Sequence, residues 1–367
     1  MLVVTLWAVA ARATGRTSYQ ASDFGPLPPV PTPVDNPITA DKVELGRMLY
    51  FDPRMSADGS LSCNSCHSVD TGWTSPATVS FAGPGTSHWR NSSTILNVGY
   101  YNALNWDGGK KSIEAQNAGA WGGSVAGNLD RVLAEERLAQ IPDYVERFRN
   151  IFGTTWPTWD NALRALAAFQ RTIVSQNVPI DAFAEGNRDA LSDEAARGFD
   201  LFVGAAACVT CHTGPLFSDN SFHALGVPQN PDFETRPLLQ ITFRFEQLAK
   251  GAPEEVYRNG TDDLGLFYVT KLDSDRGKFR TPGLRDVCYT APYMHNGVFP
   301  DLESVVEFYV AGGGDASGTD ALLTPLTLTA EEISQVVAFL EEGLCGDRVT
   351  VKTPTLPPYG TFPAPQE

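Results

Sequence analysis

Two five-residue stretches decide the fold of this chain: Cys-Asn-Ser-Cys-His at residues 63–67 and Cys-Val-Thr-Cys-His at residues 208–212. Both follow the pattern Cys-x-x-Cys-His, and they lie in opposite halves of a chain of 367 residues. A zinc site would need four ligands that converge on one point, whereas each cysteine pair here is followed by its own polar loop. Two matches that each include the histidine are too specific to arise by chance.

The Cys-x-x-Cys-His pattern is the attachment signature of a c-type heme. Two thiols at this spacing add to the two vinyl groups of one porphyrin, and the following histidine can then ligate the iron. The expected heme-binding residues are Cys63, Cys66 and His67 at the first site and Cys208, Cys211 and His212 at the second. Because covalent heme attachment takes place outside the cytoplasm, the motifs predict an exported diheme protein.

Composition narrows the class of partner. The chain carries 43 acidic and 27 basic residues, a formal charge of −16, which argues against nucleic acid and anionic membrane surfaces and permits a small basic protein. A hydrophobic fraction of 42% predicts a folded protein. No apolar run reaches the ~18–20 residues of a membrane span. The 33 glycines and 26 prolines predict long loops.

The two ends of the chain have their own patterns. Residues 2–11 are mostly apolar and precede a small-x-small cleavage pattern, so residues 1–13 are expected to be the remnant of a secretory signal, the alternative being an N-terminal core segment. Residues 14–40 are proline-rich and are expected to form an extended arm. Residues 347–367 are expected to form an extended tail.

Helical periodicity dominates the rest of the chain. Apolar residues recur at helical spacing over residues 158–175. Three further helices are expected after the capping residues Ser192, Asp301 and Thr329. No alternating pattern of comparable strength occurs, so the fold class is mainly α and strands are minor. Two cysteines outside the motifs, Cys288 and Cys345, either pair in an oxidising compartment or remain separate buried thiols.

Further motifs make the chain resemble the bacterial diheme cytochrome c peroxidase/MauG family. The first half contains Leu-Tyr-Phe-Asp-Pro-Arg at residues 49–54, Arg-Asn-Ser-Ser-Thr at 90–94 and Trp-Asp-Gly at 106–108. The second half contains Phe-Arg-Thr-Pro-Gly-Leu-Arg at 279–285 and Thr-Ala-Pro-Tyr-Met-His-Asn-Gly at 290–297. The resemblance covers roughly residues 40–345. It implies two cytochrome-c-like domains, residues 41–178 and 179–346, each with one covalently bound heme and long Gly/Pro-rich loops.

The resemblance also implies roles for single residues. His67 and His212 would be the proximal iron ligands, and Trp106 would carry electrons between the hemes. One calcium ion would lie between the domains, bound by the Asn91 side chain, the carbonyls of Thr290 and Pro292, and water.

The sixth ligand of the second heme is informative. In this family it follows the histidine of a Pro-Tyr-x-His motif by 14 residues, and it is methionine in the peroxidases and tyrosine in MauG. His295 ends that motif here, which points to Tyr309, although its position on the apolar face of a helix also suits a core residue. A phenolate ligand stabilises oxidised iron, so a second heme with Tyr309 as its sixth ligand would resemble that of MauG.

The distal side of the first heme departs from the family pattern. The removable distal histidine of the peroxidases would fall at Gly83, so an open site is expected, with His88 displaced by five positions. The distal glutamine matches Gln116, which with Trp106 completes the expected catalytic residues. The catalytic glutamate would fall at Ala126. Glu114 is either its substitute or a solvated helix residue.

Two functions remain in view. The first is a periplasmic oxidoreductase in which hydrogen peroxide reacts at the first heme. It would oxidise a small periplasmic electron carrier (cytochrome c or cupredoxin) or, as in MauG, a protein residue. The surface tryptophan of MauG is replaced by Ala206, so its route to a protein substrate is not evident. The second is a non-enzymatic diheme electron-transfer cytochrome. The family also implies a possible homodimer.

Overall fold

The computed structural model describes residues 18–83, 86–314 and 318–360. The expected signal remnant at residues 1–13 lies outside these ranges, as do the first residues of the arm and the end of the tail. The described chain is mostly helical with one two-stranded sheet. Within it, no helix is long and apolar enough to cross a membrane.

Fourteen α-helices follow one another along the described residues. In the first half they are α1 (Ala40–Phe51), α2 (Cys63–Cys66), α3 (Ile113–Gly122), α4 (Arg131–Ala139), α5 (Pro142–Phe152) and α6 (Trp159–Gln170). In the second half they are α7 (Pro179–Ala184), α8 (Asp193–Val203), α9 (Asp232–Thr235), α10 (Pro237–Ala249), α11 (Glu254–Asn259), α12 (Phe267–Thr270), α13 (Leu302–Val310) and α14 (Ala330–Ala338). The antiparallel strands are β1 (Phe222–Ala224) and β2 (Lys278–Arg280).

The four helices predicted from periodicity and capping are present. The side chains of Ser192, Asp301 and Thr329 each accept a backbone N–H in the first turn of α8, α13 and α14, and Thr329 forms a complete capping box with Glu332. The predicted end of α6 was wrong, because this helix stops at Gln170 rather than at residue 175. A β-branched run, residues 172–174, follows the helix and disfavours its continuation.

Each half has its own hydrophobic core, and the two cores are built alike. The first core draws on residues 45–173 and the second on residues 178–344. In the first, α1 crosses α6 where Gly46 lies against the backbone of Ala165; in the second, α8 crosses α14 where Gly198 lies against Gln335. A side chain at either glycine would overlap a carbonyl group. The same close helix crossing therefore organises both halves.

The ends of the described chain pack on opposite halves. Phe24, from the arm, is fully buried in the second core, with its ring 5.0 Å from that of Phe217. The tail runs without helix or strand along the first half. There the Trp73 indole donates to the Val349 carbonyl at 2.7 Å, and Arg54 donates to the Pro357 carbonyl at 2.9 Å. These contacts tie the two halves together.

The two cysteines outside the motifs pair. Cys288 and Cys345 form a disulfide across a separation of 57 residues. It joins the turn Val287–Tyr289 to the segment that follows the π-helical turn Phe339–Gly343.

Candidate functional site

A cavity of about 270 Å³ lies beside residues 208–212, and most of its lining comes from the second half of the chain. Its lining is largely apolar and includes Cys208, Cys211 and His212 together with leucine and valine side chains of α13 and α14. The approach to it is a tight turn: Ala207 takes a left-handed conformation, and one 3₁₀ turn, Cys208–Thr210, follows. The His212 N–H donates to the Cys208 carbonyl at 2.9 Å, so the turn sets the histidine beside both cysteines.

The His212 ring is oriented for ligation. Its Nδ1 lies 3.0 Å from the Phe217 carbonyl oxygen, which can only accept, so Nδ1 carries the proton and Nε2 carries the lone pair that could bind iron. Burial lowers the pKa of His212 and keeps the ring neutral. A second hydrogen bond of this kind is the usual support of a metal-binding histidine.

Tyr309 lines the same cavity as His212. Burial, with a smaller contribution from the sulfurs of Cys211 and Cys208, raises the pKa of the Tyr309 phenol well above its usual range. The phenol is therefore neutral unless a cation comes within reach of its oxygen. A ferric ion would supply that charge and favour the phenolate.

The first site repeats the local arrangement of the second. The helix α2 contains both cysteines, and the His67 N–H donates to the Cys63 carbonyl at 2.9 Å. Burial lowers the pKa of the His67 ring, and its Nδ1 has no hydrogen-bond partner among the described residues. The Tyr50 hydroxyl donates to the His67 carbonyl at 2.5 Å and holds the end of the turn.

Both sites fit a c-type heme. Burial raises the pKa of Cys63 and of Cys208 to about 12, so these side chains are protonated thiols in the absence of a bound group. None of the four motif cysteines is in a disulfide. Each pair therefore offers two thiols for thioether bonds and a buried neutral imidazole for an iron atom, which is the donor set a c-type heme requires.

Trp106 borders the second site and is linked by a hydrogen bond to a segment that leads to the first site. Its side chain lines the cavity of the second half, and its indole N–H donates to the Asn91 carbonyl at 2.9 Å. The segment that begins at Asn91 reaches the first site two residues later, where the Ser93 backbone interacts with the His67 ring. From the second half, the Arg280 N–H donates to the Trp106 carbonyl at 2.9 Å.

The three expected calcium ligands border one cavity in the structure. Asn91, Thr290 and Pro292 all line the same cavity as Trp106, although they come from both halves of the chain. The Asn91 N–H donates to the His295 carbonyl at 2.7 Å, which joins the two segments. Amide and carbonyl oxygens are hard donors of the kind that calcium binds.

The distal side of the first site holds no carboxylate at the family position. Gln116 is half-buried on α3, and the carbonyl of Ala126 faces Gly83. Glu114 is neither a substitute acid nor a solvated residue, because it binds Arg171 at 2.8 Å and Asn36 at 2.8 Å. Burial opposes its ionisation, but these hydrogen bonds prevail and lower the pKa of Glu114.

His88 lies close to His67. Phe81 and Ser87 form a β-bridge, and the Phe81 carbonyl lies 3.6 Å from the Cys66 sulfur of the first site. His88 directly follows the bridge residue Ser87. Burial, and secondly the nearby His67, lower the pKa of His88 to about 4. Its ring is therefore neutral at physiological pH.

An ion cluster beside Trp106 escaped the sequence interpretation. Asp107 is fully buried and accepts from Arg90 at 2.7 Å and from Lys250 at 2.8 Å, while Arg90 also binds Asp263 at 2.6 Å. The Arg-Asn and Trp-Asp-Gly motifs contain Arg90 and Asp107, but their partners come from the loop-rich region around α10 and could not be assigned from spacing.

His223 is a second group that the sequence did not single out. It lies on β1 between Asp320, at 2.8 Å from Nδ1, and Asp219, at 3.0 Å from Nε2. Hydrogen bonds with Asp219, the Cys211 sulfur and Asp320 raise the pKa of His223 to about 11, which keeps the ring protonated at the edge of the second cavity.

The fold and the two sites together define a c-type heme protein. The sequence profile described as "Di-haem cytochrome c peroxidase" matches residues 40–189. The chain is 51% identical over 343 residues to a cytochrome-c peroxidase, IdrP1, of Denitromonas iodatirespirans, covering 93% of this chain and 91% of that protein. It is 34% identical over 360 residues to the methylamine utilization protein MauG of Methylorubrum extorquens, covering 96% and 94%.

A solved structure has the same fold. It is a MauG-like protein associated with microbial copper homeostasis, with a TM-score of 0.74 at 28% identity over 88% of this chain and 94% of that chain. This chain therefore belongs to the di-haem cytochrome c peroxidase family, and it is a heme peroxidase by class. The family resemblance drawn from the sequence motifs is confirmed.

Proposed function

We propose that the chain carries one c-type heme in each half, residues 41–178 and 179–346, and that hydrogen peroxide reacts at the first site. The observation that carries this proposal is the position of Tyr309, which shares a cavity with His212. If Tyr309 and His212 both bound the iron of one heme, the second site would be closed. The first site would then be the one open to peroxide.

Proton movement at the first site falls to His88 and Gln116. Each heme supplies the redox chemistry of the reaction when bound. His88 is neutral, so its ring nitrogen can take a proton from one oxygen of peroxide and return it to the other as the O–O bond breaks. The Gln116 amide orients the peroxide. This assigns to His88 the task that the glutamate performs where the family has one.

Trp106 provides the contact through which the two sites share oxidising equivalents. It adjoins the second cavity directly and meets the first site through the segment 91–93. A calcium ion bound by Asn91, Thr290 and Pro292 would stabilise this junction, because its ligands come from both halves.

We propose a small electron-carrier protein, a cytochrome c or a cupredoxin, as the reductant. The charge of −16 favours a basic partner, and several relatives are named cytochrome-c peroxidases. These names favour the enzyme over a non-enzymatic electron-transfer cytochrome. MauG-like oxidation of a protein residue is less favoured, because the position of its surface tryptophan holds Ala206, which is 7% exposed.

A periplasmic location suits both kinds of cysteine chemistry in the chain. Heme attachment at residues 63–67 and 208–212 takes place outside the cytoplasm, and the Cys288–Cys345 disulfide is typical of an oxidising compartment.

The test is a turnover measurement on the heme-loaded protein. Reduced small c-type cytochrome and hydrogen peroxide are mixed with it, and cytochrome oxidation is followed by absorbance. We expect catalytic turnover with two cytochrome molecules oxidised per peroxide. Oxidation no faster than in the absence of the protein would overturn the proposal.

A further inference from the structure

Trp121 lies against the attachment point of the first heme. It is 4% exposed, belongs to the first hydrophobic core and packs with Cys63 there. Its indole N–H is close enough to interact with the Cys63 sulfur. In the heme-loaded protein this sulfur is a thioether bonded to the porphyrin, so Trp121 contacts a substituent of the macrocycle itself.

A second indole continues from Trp121 toward the surface. The rings of Trp121 and Trp159 are 5.3 Å apart between centroids and meet edge to face at 66°. Trp159 is the first residue of α6 and is 7% exposed, and its backbone N–H donates at 2.8 Å to Glu135, whose side chain is 19% exposed. The two rings therefore span the distance from the first site to the solvent boundary.

Packing alone does not require this arrangement. A core can be filled by aliphatic residues and phenylalanine, as at Phe148 and Leu138 of the same cluster. Indole is among the most easily oxidised side chains, and here two of them are in contact with each other and with the heme sulfur. The arrangement supplies a short path for single electrons.

We propose that Trp121 and Trp159 form a one-electron relay between the first heme and the protein surface at the start of α6. The inference rests on the proposed function, which supplies the oxidant. Reduction of one peroxide to two waters takes two protons and two electrons. In each one-electron step, Trp121 transfers an electron to the oxidised heme. Trp159 then reduces Trp121, and a reduced one-electron carrier protein reduces Trp159.

The oxidised indole of Trp121 keeps its N–H proton. The Trp121 N–H faces a thioether sulfur, which is too weakly basic to accept a proton, so the oxidised indole is a cation radical. The relay also gives the chain an exit for oxidising equivalents on the first half, where the MauG position before Cys208 offers only Ala206. A carrier protein would deliver its electrons at this face.

The experiment treats heme-loaded ferric protein with one equivalent of hydrogen peroxide and no electron donor. Freeze-quench EPR then detects tryptophan radicals, and peptide mapping measures the oxidised fraction of Trp159. The variants are Trp121→Phe and Trp159→Phe. Trp73→Phe is the matched control, because Trp73 is an indole of the same core whose N–H binds the tail.

We expect Trp121→Phe to reduce oxidation of Trp159 at least tenfold, while Trp73→Phe leaves it unchanged. Trp159→Phe should confine the radical to Trp121. Heme content and the ferric absorption spectrum show that each variant is folded and loaded. If the Trp121→Phe variant does not load heme, the EPR spectrum of the Trp159→Phe variant tests the relay by itself. Unchanged Trp159 oxidation in Trp121→Phe, or an unchanged radical in Trp159→Phe, would overturn the relay.

The relay and the proposed function fail differently. If peroxide alters the heme absorption spectrum but Trp159 oxidation does not depend on Trp121, the relay alone is wrong. If peroxide leaves the spectrum of the unaltered protein unchanged, the proposed function is wrong. The relay is then wrong as well, because the heme would supply no oxidant to it.

Discussion

The two histidines of the attachment motifs share one local turn but have different neighbours. His212 is anchored through Nδ1 to the Phe217 carbonyl and shares its cavity with Tyr309. The His67 ring lies near the Trp73 and Ser93 backbones without a hydrogen bond at Nδ1, and a further neighbour is the neutral ring of His88. The motifs predict the ligands, whereas the proposed difference between a closed and an open site rests on these neighbours.

His88→Ala should slow the reaction of peroxide with the first heme. Loss of a positioned general base costs about 10²- to 10⁴-fold in rate, and stopped-flow absorbance measures it. Thr86→Ala is the control, because it alters the segment just before His88 by removing a hydroxyl that donates to the Gly83 carbonyl. A faster reaction in His88→Ala, with gain of a high-spin signal, would instead make His88 an iron ligand.

Tyr309→Met should raise the reduction potential of the second heme. A thioether stabilises reduced iron relative to a phenolate, and we expect a shift on the order of 100 mV. Spectroelectrochemical titration measures this, with the potential of the first heme as an internal reference. An unchanged potential and spectrum would show that Tyr309 is a core residue and not a ligand.

At the scale of elements, the sequence predicts helices well where caps and periodicity agree. Thr158, Ser192, Asp301 and Thr329 mark helix starts that the structure confirms. The helix α10 escaped prediction because it is apolar on two faces, with Phe243 buried and Phe245 almost half exposed. Periodicity reports one buried face, so it fails for such a helix.

The stability of the segment around Trp106 depends on the buried carboxylate of Asp107. Asp107→Asn should lower the free energy of unfolding by about 3 kcal/mol, because it leaves the buried Arg90 and the Lys250 amine without this partner. Urea unfolding of the heme-loaded protein measures the change. Asp160→Asn removes an exposed partner of Arg131 and should change stability by at most about 0.5 kcal/mol. Equal effects in the two variants would contradict this account of the cluster.

At the scale of the whole molecule, the site is assembled from segments far apart in the chain. Trp106 and Asn91 come from the first half, whereas Thr290 and Pro292 come from the second. Periodicity and spacing could not have brought them together, since such contacts depend on tertiary packing. The family resemblance supplied them, and the structure places all four on one cavity.

The disulfide closes a long loop in the second half. Cys288→Ser should lower the free energy of unfolding by about 2–4 kcal/mol, because the unfolded chain regains the freedom that a 57-residue loop closure removes. Chemical unfolding under oxidising conditions measures this, and Cys345→Ser should cost a similar amount. The difference from the unaltered protein should vanish when that protein is reduced; a difference that persists would mean that the serine itself, and not the lost bond, destabilises the fold.

The central claim is that the site around His67 is open to peroxide while Tyr309 closes the site around His212. The EPR spectrum of the ferric heme-loaded protein, before and after one equivalent of hydrogen peroxide, tests it most directly. We predict one five-coordinate, high-spin centre and one six-coordinate centre, with the high-spin signal lost on addition of peroxide. Two six-coordinate centres that peroxide leaves unchanged would contradict the account.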